Sequence, residues 1–582
     1  MLRLVHHTFA VIWRDRIPLF WPIWMAITAA AIVVTVWVLR RQGTGRDSEV
    51  RPPANRHFST SKTKLTLVLL LLFLGCYMAG SLVRENFTYY DNSLFTLGTL
   101  TGQNIPVFIW PQLGRFFPLC DQEYNVLRHV THSVAGYHSL RLLEILLLSL
   151  MLLFLDNRLS IPARAVLIVV ALIMPSIVIS FTGLIYPEAN LIFALACLVW
   201  CVKKFQDNLR TVWAIGAVIS AQFILYYKET AFLLISFFGM SRVILRCWDA
   251  GSGSWNFGRI RDKESRLDLC LAALSIPFLL YYLAAMFPNF RTGYEQNFKL
   301  PVGEVLSAYI RVDLLAWVLV ATVMARFTLV FKRKLNPSPL WDGIAIGAVA
   351  YMFGYIALRM HAAYYLAPVD LVAVLYLGHL LFACWNSWGH AAKAWAVGTA
   401  AIIILQAVGL SAFRMYERTN VIEAKVKMAQ LIKQHVADSP QNCKGLFFPF
   451  ASATHVMEFG AFLTYSGVPV ERLAANNVVV PGLMLIGANV HKLGPCVGGK
   501  PLQCRPGTAP ESGDIVVVLP DDRVSDQQGR VEPATVLFSY EPTPMIPKWL
   551  RPWVSHLHVV SPEFFRDPLP AHFLQASLAV QP

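Results

Sequence analysis

The chain has 582 residues, of which 56% are hydrophobic and 15% are charged, and its mean hydropathy is +0.50. Soluble globular domains carry about 25% charged residues, so this composition excludes a wholly soluble protein. The formal net charge is +15. In a soluble protein such a charge would suggest nucleic-acid binding, but here it follows the expected membrane topology, and no nucleic-acid partner is predicted.

Apolar runs of about 20 residues, the length that crosses a hydrocarbon core, recur along the chain. They predict a polytopic α-helical membrane protein with about twelve transmembrane helices. The short run 188–202 has polar neighbours, which is typical of a broken or tilted helix. The predicted spans are 17–39, 65–83, 141–155, 161–183, 188–202, 211–227, 230–245, 268–287, 305–325, 341–358, 362–384 and 393–413.

Basic residues concentrate in four connections between the spans, at 40–64, 203–210, 242–266 and 332–334. If the spans alternate, all four lie on one side, which the positive-inside rule assigns to the cytoplasm. Loop 84–140 and the tail then lie on the outer face, the periplasmic side of a bacterial inner membrane. The N-terminus, which also carries arginines, would lie outside against this rule, so its topology stays open.

Three regions are expected from these patterns. Residues 1–64 would be an N-terminal helix and a basic cytoplasmic connection, and 65–413 a transmembrane catalytic domain. Residues 414–582 read as a periplasmic soluble α/β domain, because 421–435 has helical periodicity while 445–450 and 514–520 are apolar runs bounded by turn residues.

The first large outer loop contains Y89-Y-D-N92, which places Asp91 beside two tyrosines and an asparagine soon after a membrane span. The loop is long, aromatic and punctuated by proline, and a loop of this length in a compact fold is usually functional. Asp121 and Glu123 are further acids in the same loop.

The second outer loop, G183-L-I-Y-P-E-A-N190, presents Glu188 at a helix start. Stabilisation by the helix dipole after Pro187 explains this acid about as well as a functional role does. Lys228 and Glu229 follow at the same membrane face, where a local ion pair or a plain interfacial hairpin would also account for them.

Cations collect in the later outer segments. R359-M-H-A-A-Y-Y-L-A-P368 contains Arg359, His361 and Tyr365, and Arg291 lies in loop 288–304. Arginine offers a planar set of donors that suits phosphate oxygens, although snorkelling to the interface is the simpler explanation of Arg359. Carboxylates followed by cations on one face suit sugar transfer from a lipid-linked phosphate, with a carboxylate as base and cations stabilising the leaving phosphate.

This ordered set resembles the GT-C class of membrane glycosyltransferases, and most of all the lipid-linked-sugar enzymes related to protein O-mannosyltransferases and the lipid A aminoarabinose transferase. Y89-Y-D-N92 matches the early acid of the first outer loop, Y186-P-E188 matches the acid of the second, and R359-M-H-A-A-Y-Y-L-A-P368 matches the later basic segment. The resemblance covers the layout of roughly the first 414 residues. The usual second acid beside the first Asp is replaced by Asn92.

The resemblance implies a hexosyl- or pentosyltransferase that moves a sugar from a polyprenyl-phosphate donor to a glycan, lipid or protein acceptor. It implies Asp91 as the catalytic base, alone or with Asp121, Glu123 or Glu188, and Glu188 as a supporting acid. Arg359 and His361 would hold the donor phosphate, helped by Lys228, Arg291 or Tyr365. No cofactor is required, and a divalent metal is compatible with the chemistry although no His/Cys cluster demands one.

Two other interpretations remain. A transporter or flippase of lipid-linked glycan fits a basic chain with many spans, but transport sites favour charged residues at the membrane midplane and repeated halves. Here the intramembrane acids are few, at Glu144 and Asp313 near helix ends, with Asp370 close to Pro368. A polysaccharide polymerase or ligase would share the lipid donor and differ in the acceptor.

Overall fold

The structure is a computed structural model that describes most of the membrane region and parts of the tail. The described residues up to 437 are 20–40, 61–82, 104–105, 107–110, 115–156, 158–249, 251–286, 301–385 and 388–437. Beyond 437 they are 444–447, 459–460, 462–463, 465–468, 473–476, 503–505, 515–518, 535–540 and 576–580.

The described residues of the first half of the chain form helices, two short antiparallel hairpins and the turns between them. The helices are α1 (Phe20–Arg40), α2 (Ser61–Leu82), α3 (Gln122–Leu127), α4 (Val134–Leu155), α5 (Ile161–Leu172), α6 (Pro175–Thr182), α7 (Pro187–Asn208), α8 (Thr211–Tyr227) and α9 (Ala231–Cys247). Strands β1 (Ile109–Trp110) and β2 (Arg115–Phe116) pair antiparallel, as do β3 (Trp248–Asp249) and β4 (Ser254–Trp255).

The described residues from 263 to 437 are also mainly helical. The helices are α10 (Lys263–Ala273), α11 (Ser275–Met286), α12 (Val302–Val312), α13 (Leu314–Phe331), α14 (Pro339–Ala357), α15 (Ala367–Cys384) and α16 (His390–Ala437). Short 3₁₀ turns occupy Phe257–Arg261 and Ala363–Leu366.

The chain is a multi-pass membrane protein. Within the described residues, eight helices are long and apolar enough to cross a bilayer, or nine if the bent pair α5–α6 forms one span. The apolar helix α8 has 17 residues and is shorter than the 18 residues set here as the minimum length of a span. The total of about twelve transmembrane helices therefore stays a prediction.

Two of the predicted spans are interrupted. The span predicted at 161–183 is α5 and α6, bent by 68°. Met174 is extended because the ring of Pro175 disfavours a helical conformation in the residue before it. The span predicted at 305–325 is broken at Asp313, whose Oδ1 accepts a hydrogen bond from the Ala316 amide at 3.0 Å and caps α13.

The predicted break or tilt near 188–202 takes a different form. Helix α7 runs without interruption from Pro187 to Asn208, so the helix is longer than its apolar run. Its last turns carry Lys203 and Lys204, which lowered the hydropathy of this stretch and shortened the predicted span.

Helix α9 packs tightly against both α10 and α14. A Cβ atom added at Gly239 would lie 2.6 Å from the Asp268 carbonyl oxygen, and one at Gly347 would lie 2.7 Å from the Leu234 carbonyl oxygen. Glycine is therefore needed at both positions, as is common where membrane helices approach closely. Helices α1 and α2 bury few residues and lie at the periphery, against α8 and α5 respectively.

The described strands of the tail form one mixed sheet. They are β5 (Lys444–Phe447), β6 (Leu473–Asn476), β7 (Gln503–Arg505), β8 (Ile515–Val518), β9 (Thr535–Tyr540) and β10 (Ala576–Val580), in the order β7-β6-β5-β8-β10-β9. Strands β7, β6, β5 and β8 are parallel, while β10 is antiparallel to β8 and to β9.

Strands β5 and β8 overlap the apolar runs predicted as strands at 445–450 and 514–520, whose other residues lie outside the described part of the chain. They are neighbours in the sheet, with Leu446 opposite Ile515. Helix α16 runs from the membrane region through 413–414 to Ala437, so the first part of the expected tail is the end of this helix. A separate periplasmic α/β domain at 414–582 stays a prediction.

Candidate active site

A buried ion pair between Glu188 and Lys228 lies at one end of the helical bundle. Glu188 is in the first turn of α7, where Pro187 starts the helix, and Lys228 directly follows α8. Lys228 Nζ lies 2.8 Å from Glu188 Oε1, and the two side chains are 5% and 0% exposed. The antiparallel packing of α7 on α8 therefore brings the start of one helix beside the end of the other.

The pair is electrostatically matched. Burial by itself lowers the pKa of Lys228, but the Glu188 carboxylate raises it further, so the net pKa lies above its usual value. The ammonium group therefore stays charged. Glu188 Oε2 has no hydrogen-bond donor among the described residues. This oxygen can therefore accept a hydrogen bond from a bound ligand.

Tyrosine rings surround the ammonium group. Lys228 Nζ lies 4.9 Å from the centroid of the Tyr365 ring, which is close enough for a cation–π interaction. The Tyr365 ring stacks on Tyr355 at 4.6 Å, and the Tyr364 hydroxyl donates to the Tyr365 hydroxyl at 3.0 Å. Tyr186, two residues before Glu188, contacts Tyr364 with ring centroids 4.7 Å apart. The second outer loop and the 3₁₀ turn Ala363–Leu366 thus share one aromatic cluster.

A second ion pair flanks the first. Arg115, in β2 of the first outer loop, places Nε 3.1 Å from Oε1 of Glu229. Lys228 therefore pairs with Glu188 across 40 residues of chain, while its neighbour Glu229 pairs with Arg115. The local Lys228–Glu229 pair considered from the sequence is not the arrangement observed.

Arg141 is the centre of a buried polar network beside this region. One guanidinium nitrogen, Nη1, lies 2.9 Å from Glu144 Oε2 and 2.8 Å from Asn190 Oδ1. The other, Nη2, lies 2.9 Å from Glu123 Oε1, and it also donates to the Tyr124 hydroxyl and the Leu184 carbonyl. The side chain is fully buried. Arg141 therefore joins the first outer loop, α4 and the start of α7, two residues beyond Glu188.

Asp121 is buried and strained in the same loop. Its φ is 61°, in the left-handed region, and it is only 2% exposed. Burial raises the pKa of Asp121 well above its usual range, and the nearby Glu123 carboxylate raises it further. The protonated form of Asp121 is therefore favoured in the folded protein.

The structure brings together part of the residue set predicted from the sequence. Glu188, Lys228 and Tyr365 are in direct contact, and Asp121 and Glu123 lie in the adjoining network. Asp91 and Arg291 lie outside the described residues.

The basic segment is less tightly connected to the pair. Arg359 follows the end of α14 with a left-handed φ of 57°, and His361 is exposed. The Tyr309 hydroxyl donates to the carbonyl of Met360, between these two residues. Arg359 and His361 therefore start the same short segment that ends at Tyr365, while the described contacts do not join His361 to Glu188.

Sequence reasoning gave no role to Arg141, Asn190 or Arg115, and it quoted Tyr186 and Tyr364 within motifs without assigning them a role. Arg141 and Glu144 carried a signal, since an Arg and a Glu three residues apart share one helix face and are costly in an apolar run unless paired. Asn190 and Arg115 carried no such signal, because their partners come from distant parts of the chain.

Among solved structures, the crystal structure of ArnT from Cupriavidus metallidurans bound to undecaprenyl phosphate is similar to this chain. The TM-score is 0.42 at 12% sequence identity, covering 78% of this chain and 92% of that chain. No family model matches the chain, and no curated protein matches it.

Proposed function

We propose that this protein is a GT-C type glycosyltransferase, which moves a sugar from a polyprenyl-phosphate donor to a glycan, lipid or protein acceptor. The reaction would take place at the periplasmic face of a bacterial inner membrane. The observation that carries the proposal is the buried cluster of Glu188, Lys228 and Tyr365 at one end of a multi-pass helical bundle. The ordered outer-loop motifs of the sequence support it.

The cluster suits a sugar better than a phosphate. Lys228 is already neutralised by Glu188, so it has little charge left for a second anion. Glu188 keeps one oxygen with no donor among the described residues, and a sugar hydroxyl is a donor of the right kind. The rings of Tyr186 and Tyr364, both partly exposed, offer apolar faces for a pyranose or furanose ring.

The donor phosphate would be held by the segment that precedes Tyr365. Arg359 and His361 lie on it, and Arg291 is a further candidate cation in a neighbouring outer loop. A guanidinium can bind two phosphate oxygens at once, and its charge stabilises the phosphate as it leaves. Lys228 would act on the phosphate only indirectly, by holding Glu188 and Tyr365 in place.

Asp91 would serve as the base. The acceptor hydroxyl oxygen attacks the anomeric carbon, the bond from that carbon to the phosphate oxygen breaks, and polyprenyl phosphate leaves with the electron pair. Asp91 takes the hydroxyl proton. The raised pKa of Asp121 favours its protonated form, so Asp121 suits this role less well and would instead donate a hydrogen bond within the site.

No cofactor is needed for this chemistry. Among the described residues, no group of three or more His, Cys, Asp or Glu side chains is arranged to hold a metal ion. A divalent metal between an acid and the donor phosphate remains compatible with the proposal.

The test is donor consumption. Purified protein in lipid nanodiscs is incubated with a panel of polyprenyl-phosphate sugars and a membrane-glycan extract, and mass spectrometry follows loss of the donor. We expect consumption of one donor, abolished in Asp91→Asn with the protein still folded. Full activity of Asp91→Asn would remove Asp91 as the base. Movement of labelled lipid between leaflets without donor consumption would establish the flippase instead.

A further inference from the structure

A surface of exposed aromatic and basic side chains lies at the end of the bundle opposite Glu188 and Lys228. Helix α9 begins three residues after Lys228 and ends at Cys247, where strand β3 starts. A helix of 17 residues is about 25 Å long, so the two ends are well separated. The surface, which we call the hairpin surface, consists of residues 255–262, from β4 onward, and residues 331–335, from the end of α13 onward.

Side-chain contacts join the two segments of the hairpin surface. The centroid of the Trp248 ring lies 5.0 Å from that of Trp255 and 5.4 Å from that of Phe331. The guanidinium group of Arg333 donates a hydrogen bond to the Gly253 carbonyl at 3.5 Å. The hairpin β3–β4 and the end of α13 therefore form one continuous surface.

Four large apolar side chains of this surface are exposed. Trp255 and Phe257 are 45% and 65% exposed, and their rings stack with centroids 6.2 Å apart and planes inclined by 12°. Phe331 and Leu335 are 42% and 39% exposed. Contiguous exposed apolar side chains mark a site of interaction with another protein or with a membrane.

The same surface is strongly basic. Its exposed basic residues are Arg259, Arg261, Lys332, Arg333 and Lys334, and its acidic residue is Asp262. Arg259 and Arg333 donate to backbone carbonyls, which do not neutralise their charge. None of the five basic side chains forms an ion pair with a carboxylate of the described residues. Five basic residues and one acidic residue give the surface a formal net charge of +4, which attracts anions.

The position of the surface favours lipid over protein as the partner. Helix α9 ends at Cys247, the helix pair α10–α11 begins at Lys263 and α13 ends at Phe331. The helix pair and α13 are among the helices long and apolar enough to cross a bilayer, so their ends lie at the level of the lipid headgroups. The positive-inside rule accounts for the cations alone, whereas an anionic lipid layer would accommodate the cations and the stacked rings together.

We propose that the hairpin surface binds anionic phospholipids of the surrounding leaflet. The rings of Trp255 and Phe257 would insert between the lipids, while Arg261, Lys332 and Lys334 would contact their phosphate groups. A cation held close to an anionic membrane surface strengthens binding about fivefold. The inference does not depend on sugar transfer, because this surface and the candidate active site lie at opposite ends of the bundle.

The test measures lipid contacts at the surface itself. Full-length protein is placed in phosphatidylcholine nanodiscs that contain a small share of a photoactivatable lipid with a diazirine in its headgroup. The reactive lipid is either phosphatidylglycerol or phosphatidylcholine, and mass spectrometry quantifies the crosslinked peptides. The charge variant combines Arg261→Gln, Lys332→Gln and Lys334→Gln, three side chains with no partner among the described residues.

Two further variants separate this surface from general effects of charge. The matched control combines Lys203→Gln, Lys204→Gln and Arg210→Gln, which removes three cations from the α7–α8 connection at the same end of the bundle. Phe257→Ser removes one exposed ring and keeps every charge. Thermal unfolding checks that each variant is folded as the unmodified protein is.

We expect the peptides of the hairpin surface to crosslink to phosphatidylglycerol at least about fivefold more than to phosphatidylcholine. The charge variant should bring this ratio close to one, and the control should keep it. Phe257→Ser should lower crosslinking to both lipids. The proposal is overturned if both lipids react equally with the unmodified protein, or if the control loses the preference as fully as the charge variant. Unchanged crosslinking in Phe257→Ser would overturn the insertion of the rings.

Discussion

Glu188 Oε1 and Lys228 Nζ are 2.8 Å apart in an almost fully buried pair, although 40 residues and two helices separate them along the chain. Breaking a buried pair from one side leaves an uncompensated charge, whereas replacing both partners removes the problem. Comparing the single and double replacements therefore shows whether Glu188 acts only in stability or also in the reaction.

We expect Glu188→Gln to destabilise the protein by about 3 to 5 kcal/mol, and Glu188→Gln with Lys228→Met to recover most of that loss. Denaturant unfolding in detergent micelles measures both. If Glu188 contacts substrate, the double variant regains stability without regaining donor consumption. Recovery of both would show that the pair is only structural.

The ring of Tyr365 rather than its hydroxyl is expected to matter for Lys228. Tyr365→Phe keeps the ring and should change stability by less than about 1 kcal/mol, while Tyr365→Leu loses the cation–π and stacking contacts, worth about 1 to 3 kcal/mol together. Thermal unfolding of the two variants makes the comparison. Equal effects of Phe and Leu would contradict the cation–π contact seen at 4.9 Å.

Arg141 should not be replaceable by lysine. Its guanidinium contacts Glu144, Asn190 and Glu123 at the same time, and an ammonium group cannot reproduce that fork. We expect Arg141→Lys to cost about 3 to 5 kcal/mol of unfolding free energy, since buried carboxylates lose their partner. The matched control is Lys203→Gln, which removes an exposed i, i+4 pair worth about 0 to 1 kcal/mol.

Asp121 predicts a pH dependence of stability with a defined sign. Because the pKa of Asp121 is raised in the folded state, the folded protein holds a proton that the unfolded chain releases. Its contribution is fully present below the unfolded pKa, near 4, and falls as the pH rises through the folded pKa. Asp121→Asn should flatten this fall between acidic and neutral pH.

The unfolding midpoint of the unmodified protein and of Asp121→Asn, recorded from pH 5 to pH 8, checks this prediction. Asparagine tolerates the left-handed φ of position 121, so the variant should fold. A difference between the two proteins that does not change with pH would refute the buried, protonated carboxyl.

Close helix packing predicts a contrast between two glycines. Gly239→Ala would force a Cβ to within 2.6 Å of the Asp268 carbonyl oxygen, so α9 and α10 have to separate. We expect a loss of about 1 to 3 kcal/mol. Gly398→Ala has open space around it on α16 and should be neutral or slightly stabilising. Equal effects of the two replacements on thermal unfolding would contradict the observed packing.

Much of the architecture followed from hydropathy alone. The predicted spans at 211–227, 230–245 and 341–358 coincide within two residues with α8, α9 and α14, because hydrocarbon excludes charge and thereby marks each membrane helix in the composition. The motifs also led to Glu188, Lys228 and Tyr365 as candidates before any contact between them was known. The roles of Asp91 and Arg291 stay predictions.

Tertiary structure decided which of these residues meet. A membrane helix that is apolar on every side has no periodicity that reveals its rotation or its neighbours. Nothing in the sequence therefore showed that Lys228 forms its ion pair with Glu188 and not with Glu229. Nor did it show that Arg141 binds side chains from the first outer loop and from the start of α7, or that Asp313 lies beside Asp370. Those contacts depend on how α4, α7, α8 and α15 pack side by side, and charge buried in an apolar bundle is stable only where that packing supplies its partner.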